Sequence, residues 1–216
     1  MSAFPDRNYL AGAGKTKLSS LVVDEHVEFR KTKASDEGLA YFYCDRNRED
    51  HQNPDDVLRS LVRQLSVGHK REDHLVKVVY DEWTIQWQKG LPSKHLPYDK
   101  CKEILPELLK AYAGSTIIID GLDECNAKTR QELIEVLDET IKTSASLIKV
   151  FISSRDDSDL KQQYGSGKNI QIDASHNQGD IEKYVLARMK KHKLFKVSKS
   201  TEDSILTTIR QKSQGM

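Results

Sequence analysis

The chain has 216 residues, which is enough for one sizeable core or for one domain with part of a second. Its 34 basic and 33 acidic residues nearly balance, so no global electrostatic field favours nucleic acid or an anionic membrane. No apolar run could span a bilayer, and three widely separated cysteines argue for reduced thiols rather than a disulfide framework. These features predict a cytoplasmic, intracellular protein that binds neither nucleic acid nor membrane.

A stretch containing glycine and lysine, Tyr9 to Leu18, opens the first predicted helix. Gly14, Lys15 and Thr16 fit the end of the phosphate-binding pattern G-x-x-x-x-G-K-[ST], although Tyr9 stands where that pattern has its first glycine. Such a loop wraps a phosphate in backbone N–H groups, while its lysine contacts the outer phosphates and its hydroxyl holds Mg²⁺. The alternative interpretation is a chance glycine–lysine turn that caps a helix.

Beyond the loop, predicted strands alternate with predicted helices. Apolar runs predict strands at 39–44, 116–120, 148–152 and 170–172, after a weaker candidate at 7–11. Helical spacing and turn signals predict the following helices: one from Lys15, one from Pro54, one over about 72–87, one around 104–112 that Pro106 kinks or divides, one through Leu133 to Ile141, and further helices at 157–163, at 180–191 and near the end.

This alternation implies right-handed crossovers and a parallel sheet with helices on both faces. After the last predicted strand only helices follow. We therefore expect a nucleotide-binding α/β domain over residues 1–175 and the beginning of a helical, lid-type subdomain over residues 176–216, truncated at the end of the chain.

Two further motifs lie at the carboxyl ends of predicted strands, where open α/β sheets bind ligands. The run Ile117–Ile119 ends in Asp120, a carboxylate that could hold Mg²⁺ opposite the Thr16 hydroxyl, and Asp123 or Glu124 could orient or deprotonate a water. Arg155 follows the strand at 148–152 and could stabilise charge on a γ-phosphate. The alternatives are an acidic turn that caps the next helix and an ordinary surface arginine.

Together these motifs resemble those of NACHT-type P-loop NTPases of the signal-transducing STAND class, and in particular the nephrocystin-3-like domains of fungal ankyrin-repeat and incompatibility proteins. The stretches that carry the resemblance are residues 12–20, 40–45, 58–65, 118–125, 152–155 and 180–182. It implies a P-loop fold whose five-stranded parallel sheet has the order 5-1-4-3-2. It also implies ATP or GTP with Mg²⁺ as ligands, and self-association that nucleotide switches.

The resemblance also implies roles for individual residues. Nucleotide contacts fall to Gly12, Ala13, Gly14, Lys15, Thr16 and Lys17. Thr16 and Asp120 are expected to hold the metal, and Asp123, Glu124 and Arg155 are the expected catalytic residues. Protein partners are expected to bind through flanking domains that this chain lacks.

The predicted loop departs from the family pattern. Either Tyr9 to Gly12 matches the opening of the family's loop and about three residues are missing, or Tyr9 replaces the first glycine of a loop of full length. The shortened loop is favoured, because the second alternative would make residues 4–8 the preceding strand, and Pro5 and Asp6 are poor strand residues. Losing two backbone donors at roughly 1.5–3 kcal/mol each would weaken phosphate binding by roughly two to four decades. The expectation is thus a nucleotide-binding module with slow or no hydrolysis.

Two other readings stay open. One is a degenerate, non-catalytic P-loop scaffold or interaction fragment. The other is a AAA-type motor ATPase, although neither an arginine-finger helix nor a second-sensor segment is identifiable in the sequence.

Overall fold

The computed structural model describes residues 14–33, 36–48, 53–67, 79, 81, 84–85, 95–155, 158–164, 167–170, 178–191 and 198–213. The chain divides into two compact units. The first, here called the sheet unit, is Thr16–Arg155, and the second comprises Met1–Lys15 and Asp156–Met216. The predicted strand at 7–11 lies outside the described residues. So does the predicted helix at 72–87, apart from the helical residues 79, 81, 84 and 85. The predicted division at residue 175 stays a prediction.

Three parallel strands form the sheet of the sheet unit. They are β1 (Glu37–Tyr43), β2 (Gly114–Asp120) and β3 (Leu147–Ile152), and they lie side by side in that order. β2 is buried along its whole length because it lies between the other two strands, and its run Ile117–Ile119 is apolar on both faces. Since the strands run in the same direction, their carboxyl ends meet at one edge of the sheet, where Tyr43 pairs with Asp120.

The helices alternate with the strands as the sequence predicts. Those whose bounds are described are, in chain order, α1 (Lys15–Lys33), α2 (Pro54–Val67), α3 (Tyr98–Lys110), a 3₁₀ turn (Leu122–Glu124), α4 (Ala127–Thr143), α5 (Ser158–Tyr164), α6 (Gln178–Lys191) and α7 (Lys199–Ser213). α2 begins at Pro54, and the side chain of Asn53 accepts a hydrogen bond from the Asp55 N–H at 3.0 Å. α3 runs through Pro106 as one helix, so Pro106 does not divide it, and the alternative prediction of a kink stays a prediction. Among the described helices, none is long and apolar enough to cross a membrane.

The core of the sheet unit lies between β2 and the apolar faces of the helices. Its largest fully buried side chains include Leu58, Leu61, Leu65, Leu105, Leu108, Leu109, Ile117, Ile118, Ile119, Leu133 and Ile134. α2 also covers the outer edge of β1. There the side-chain amide of Gln64 accepts a hydrogen bond from Tyr41 N–H at 3.0 Å and donates to the Tyr41 carbonyl at 2.7 Å. The amide thus supplies the pairing that another strand would otherwise provide.

The five-strand order 5-1-4-3-2 is not supported by the described strands. In sequence, β1, β2 and β3 correspond to the predicted strands 2, 3 and 4, so the described strands contain the 4-3-2 part of that order. Of the predicted fifth strand, Ile170 is described; it is not in a strand and is 79% exposed. The local reason is a turn in which the Asn169 side chain donates to the carbonyls of Tyr164 and Gly167, each at 3.2 Å.

Candidate functional site

Asp120 ends the central strand as a buried carboxylate that two serine hydroxyls hold. Ser19 Oγ, from α1, and Ser153 Oγ, just after β3, both donate to Asp120 Oδ1 at 2.5 Å. Asp120 is only 4% exposed, and none of the ion pairs between described residues includes it. Among the described residues, the side chains that donate to this carboxylate are the two serine hydroxyls. A buried carboxylate of this kind suits a cation, because burying an unpaired charge is costly. Hard cations such as Mg²⁺ prefer oxygen ligands of this kind.

The backbone around Asp120 continues the pairing of the sheet beyond the strand ends. Cys44 N–H donates to the Asp120 carbonyl at 2.9 Å, and Leu122 N–H donates to the Ser153 carbonyl at 3.0 Å. Between them Gly121 has φ +69°, in the left-handed region that favours glycine, and its N–H donates to Ser153 Oγ at 3.0 Å. The chain therefore turns sharply after Asp120 and directs the acidic 3₁₀ turn along the carboxyl edge of the sheet.

That turn carries Asp123 and Glu124, and two arginines contact their carboxylates. Arg155 N–H donates to Asp123 Oδ1 at 2.9 Å, and Arg155 Nη2 donates to Glu124 Oε1 at 3.2 Å. On the other side Arg46 Nη2 lies 3.6 Å from Asp123 Oδ2, and Arg46 N–H donates to Glu124 Oε2 at 3.3 Å. We call these four residues the carboxylate–arginine cluster. The structure thus brings together three residues that the sequence singles out, Asp123, Glu124 and Arg155, and adds Arg46.

The residues of the predicted loop are only partly described. Gly12 and Ala13 lie outside the described residues, whereas Gly14 has φ +84° and directly precedes α1. Lys15 is the first residue of α1, and the side chains of Thr16 and Lys17 are exposed. The metal role of Thr16 and the nucleotide contacts of the loop stay predictions.

The sequence does not single out Ser19 and Arg46, although a positional signal exists for each. Ser19 follows Thr16 by one helical turn, and that spacing places both hydroxyls near the same face of α1. Arg46 follows β1 at the same edge of the sheet at which Arg155 follows β3. In both cases the missing information is the packing of one element against another.

Comparison with known proteins identifies the family. The nephrocystin 3, N-terminal family matches residues 8–155. The chain belongs to this family. The match runs from the predicted loop to Arg155 and so contains Asp120 and the whole carboxylate–arginine cluster. The predicted resemblance to nephrocystin-3-like domains is therefore confirmed, while its fungal attribution stays a prediction. No curated protein and no solved structure matches the chain.

The nephrocystin 3 N-terminal region also brings two thiols together, one at the end of β1 and one just after the acidic 3₁₀ turn. Cys44 and Cys125 are both buried and reduced, with their Sγ atoms 3.2 Å apart. The hydrogen bond that they share, together with burial, raises the pKa of the Cys44 thiol. The same hydrogen bond lowers the pKa of Cys125. Burial, and then the Asp120 charge, raises the pKa of Tyr43. Within the described residues, no group of three or more His, Cys, Asp or Glu side chains could hold a metal ion.

Proposed function

We propose that this chain is the nucleotide-binding module of a NACHT-type STAND signalling NTPase. It would bind Mg²⁺–ATP or Mg²⁺–GTP and hydrolyse it slowly or not at all. The observation that carries the proposal is the contact between α1 and β2, in which Ser19 reaches the buried carboxylate of Asp120. This contact brings the first turns of α1, where Lys15 and Thr16 lie, towards the edge at which open α/β sheets bind ligands. Membership of the nephrocystin 3 N-terminal family supports the same reading.

Each predicted residue then has a role. Backbone groups of Gly12, Ala13, Gly14 and Lys17 would surround the phosphates, and Lys15 would contact the β- and γ-phosphates. Thr16 and Asp120 would hold Mg²⁺, which neutralises charge on the phosphate oxygens when it is bound. The burial of Asp120 and the two serine hydroxyls that donate to it fit such a metal.

The carboxylate–arginine cluster would supply the remaining roles. Glu124, with Asp123, would orient the attacking water, and Arg155 would contact the γ-phosphate. Arg155 already donates to Glu124 at 3.2 Å, so it would have to exchange a carboxylate for phosphate oxygens. That exchange would break an existing hydrogen bond before Arg155 could act on the phosphate. This cost supports slow turnover.

The proposal includes two finer features of the family resemblance. The first is the five-stranded order, in which a strand formed by residues 7–11 would lie beside β3. The second is self-association that nucleotide binding switches, with partners that bind through flanking domains.

A second candidate function is a non-catalytic interaction scaffold. The observation that favours it is the mutual pairing within the cluster, where both carboxylates already have arginine partners. In such a scaffold the ion pairs would stabilise the fold and would not exchange with a ligand.

Equilibrium binding of fluorescent ATP and GTP analogues in the presence of Mg²⁺ tests the proposal. We expect Lys15→Ala to weaken binding at least tenfold. The matched control is Lys31→Ala, which removes an exposed lysine at the far end of the same helix, where it pairs with Glu28; we expect it to bind like the wild type. Indistinguishable binding of all three proteins at near-millimolar nucleotide would refute the nucleotide-binding reading.

Phosphate release separates the two candidate functions once binding is established. Slow release that Glu124→Gln abolishes would support the NTPase. Saturable nucleotide binding without phosphate release, seen equally in the wild type and in Glu124→Gln, would support the scaffold.

A further inference from the structure

We propose that Cys44 and Cys125 form a peroxide-sensitive dithiol, a modification site at which hydrogen peroxide produces a disulfide between the end of β1 and the acidic turn. The proposal concerns a covalent modification of the chain and does not depend on nucleotide binding.

The geometry is the first support for this dithiol. The two Sγ atoms lie 3.2 Å apart although the residues are far apart in sequence. A disulfide requires about 2.05 Å between the sulfurs, so an approach of roughly 1 Å suffices, which small side-chain rotations can supply.

Both residues also have a fixed backbone. Cys44 N–H donates to the Asp120 carbonyl at 2.9 Å, and Cys125 N–H donates to the Leu122 carbonyl at 3.2 Å. The sulfurs are therefore held next to each other by the sheet and by the 3₁₀ turn, and their proximity does not depend on long, mobile side chains.

The chemistry balances with peroxide as the oxidant. One thiol attacks an oxygen of hydrogen peroxide, the O–O bond breaks, and a sulfenic acid and one water form. The second thiol then attacks the sulfenic sulfur, so the S–S bond forms and a second water leaves. In total two thiols are oxidised, one peroxide is reduced, and an added dithiol reverses the reaction by exchange. Both cysteines are buried, and the segment 46–48, which follows Cys44 closely in sequence, is exposed, so the pair lies near the surface in the chain and a small oxidant is the appropriate reagent.

The disulfide would affect the carboxylate–arginine cluster from two sides. Arg46 lies two residues after Cys44, while Asp123 and Glu124 lie directly before Cys125. A bond between the two sulfurs would join the segment that carries Arg46 to the turn that carries both carboxylates.

The test uses the full, pre-reduced chain and hydrogen peroxide. After oxidation, free thiols are alkylated under denaturing conditions, and the digested protein is mapped by mass spectrometry without reduction. We expect two of the three cysteines to become resistant to alkylation, a peptide that links Cys44 to Cys125, and recovery of both thiols after dithiothreitol. Cys101 is the internal control because it lies in α3 and is not part of the Cys44–Cys125 pair, and it should remain alkylated throughout.

Matched variants complete the test. Cys101→Ser should keep the linked peptide, and Cys44→Ser or Cys125→Ser should lose it. Because either of the last two could fail to fold, circular dichroism accompanies each variant and the mapping of the wild-type chain is decisive by itself. The proposal is overturned by links that involve Cys101, by links between chains, or by sulfinic acid without a link. It is also overturned if all three thiols are fully alkylated after the folded protein has been treated with peroxide.

Discussion

Asp120 depends on Ser153 for more than one hydrogen bond. The Ser153 hydroxyl donates to the Asp120 carboxylate and accepts from Gly121 N–H, so one small side chain satisfies a buried charge and a backbone donor together. Removing a partner and leaving a buried polar group unsatisfied costs more than the hydrogen bond contributes while it is present.

We therefore expect Ser153→Ala to lower the free energy of unfolding by about 1–3 kcal/mol. The control is Ser154→Ala, since the Ser154 hydroxyl donates to the carbonyl of the neighbouring Arg155; its effect should stay within about 0.5 kcal/mol. Urea unfolding followed by circular dichroism measures both. Equal losses in the two variants would show that the contact with Asp120 is not the source of the stability.

Cys101 gives a prediction about pH. Burial raises its pKa from the ordinary value of 9.0 to about 11, against a smaller lowering by Arg59. Because the folded pKa is the higher one, the neutral thiol contributes stability that is fully present below pH 9 and is lost as pH rises through 11. This term amounts to at most about 3 kcal/mol.

Cys101→Ala should accordingly flatten the decline in unfolding free energy between pH 9 and pH 11. The alanine also removes packing, but that loss is the same at every pH and leaves the slope unchanged. Urea titrations at a series of pH values, with a reductant present, measure the slope. Parallel curves for the wild type and the variant would contradict the prediction.

At the scale of single residues, the sequence predicts carboxylates and arginines more readily than their partners. Four charged residues are identifiable because each stands at the end of an apolar run that forms a strand, or shortly after it. They are Asp120, Asp123, Glu124 and Arg155. Ser19 is not identifiable, since its contact with Asp120 depends on how α1 packs against β2. Neither the separation of 101 positions nor the hydroxyl itself signals that contact.

At the scale of elements, β1 packs tightly against β2 and against Tyr112, which follows the end of α3. A Cβ atom added to Gly38 would lie 2.7 Å from Ser115 Oγ and 3.0 Å from ring atoms of Tyr112. The Tyr112 hydroxyl is itself fixed because it donates to the Leu65 carbonyl in α2. The ring therefore has little room to move.

Gly38→Ala is expected to destabilise the sheet unit by about 1–3 kcal/mol through this overpacking. Gly179→Ala in α6 is the control, because a Cβ atom there meets nothing within 4 Å and alanine favours the helix by up to about 1 kcal/mol. Thermal unfolding should show a clear loss for Gly38→Ala and none for Gly179→Ala. A similar melting temperature for both would mean that the neighbours of Gly38 adjust without cost.

Two apolar segments show why strand prediction succeeds for Ile117–Ile119 and fails at Ile170. The β-branched run Ile117–Ile119 is buried on both faces and is recognisable as a central strand. Ile170 also lies in an apolar pattern, but it follows the turn held by the Asn169 side chain, and that local hydrogen bonding overrides strand propensity. The Gln64 amide that covers β1 is likewise invisible in the sequence, because it depends on where α2 lies.

At the scale of the whole molecule, the family match and the sheet unit end at the same residue, Arg155. The α/β class and the parallel arrangement follow from alternating strands and helices, which local patterns determine. The complete strand order does not, since it depends on long-range pairing. Asp120, the carboxylate–arginine cluster and the dithiol all lie in the sheet unit, so the features that carry the proposals lie within the region that the family shares.

The central claim is that nucleotide binds in a metal-dependent way at Asp120, and thermal unfolding with Mg²⁺–nucleotide tests it most directly. A ligand that binds only the folded state stabilises it by about 1.4 kcal/mol at tenfold excess over its Kd, which raises the melting temperature by roughly 3–6 °C. We predict this shift, dependent on Mg²⁺, for the wild type and for Asp24→Asn, which alters an exposed carboxylate of α1. Asp120→Asn should lose it. No shift in the wild type, or an equal shift in Asp120→Asn, would contradict the claim.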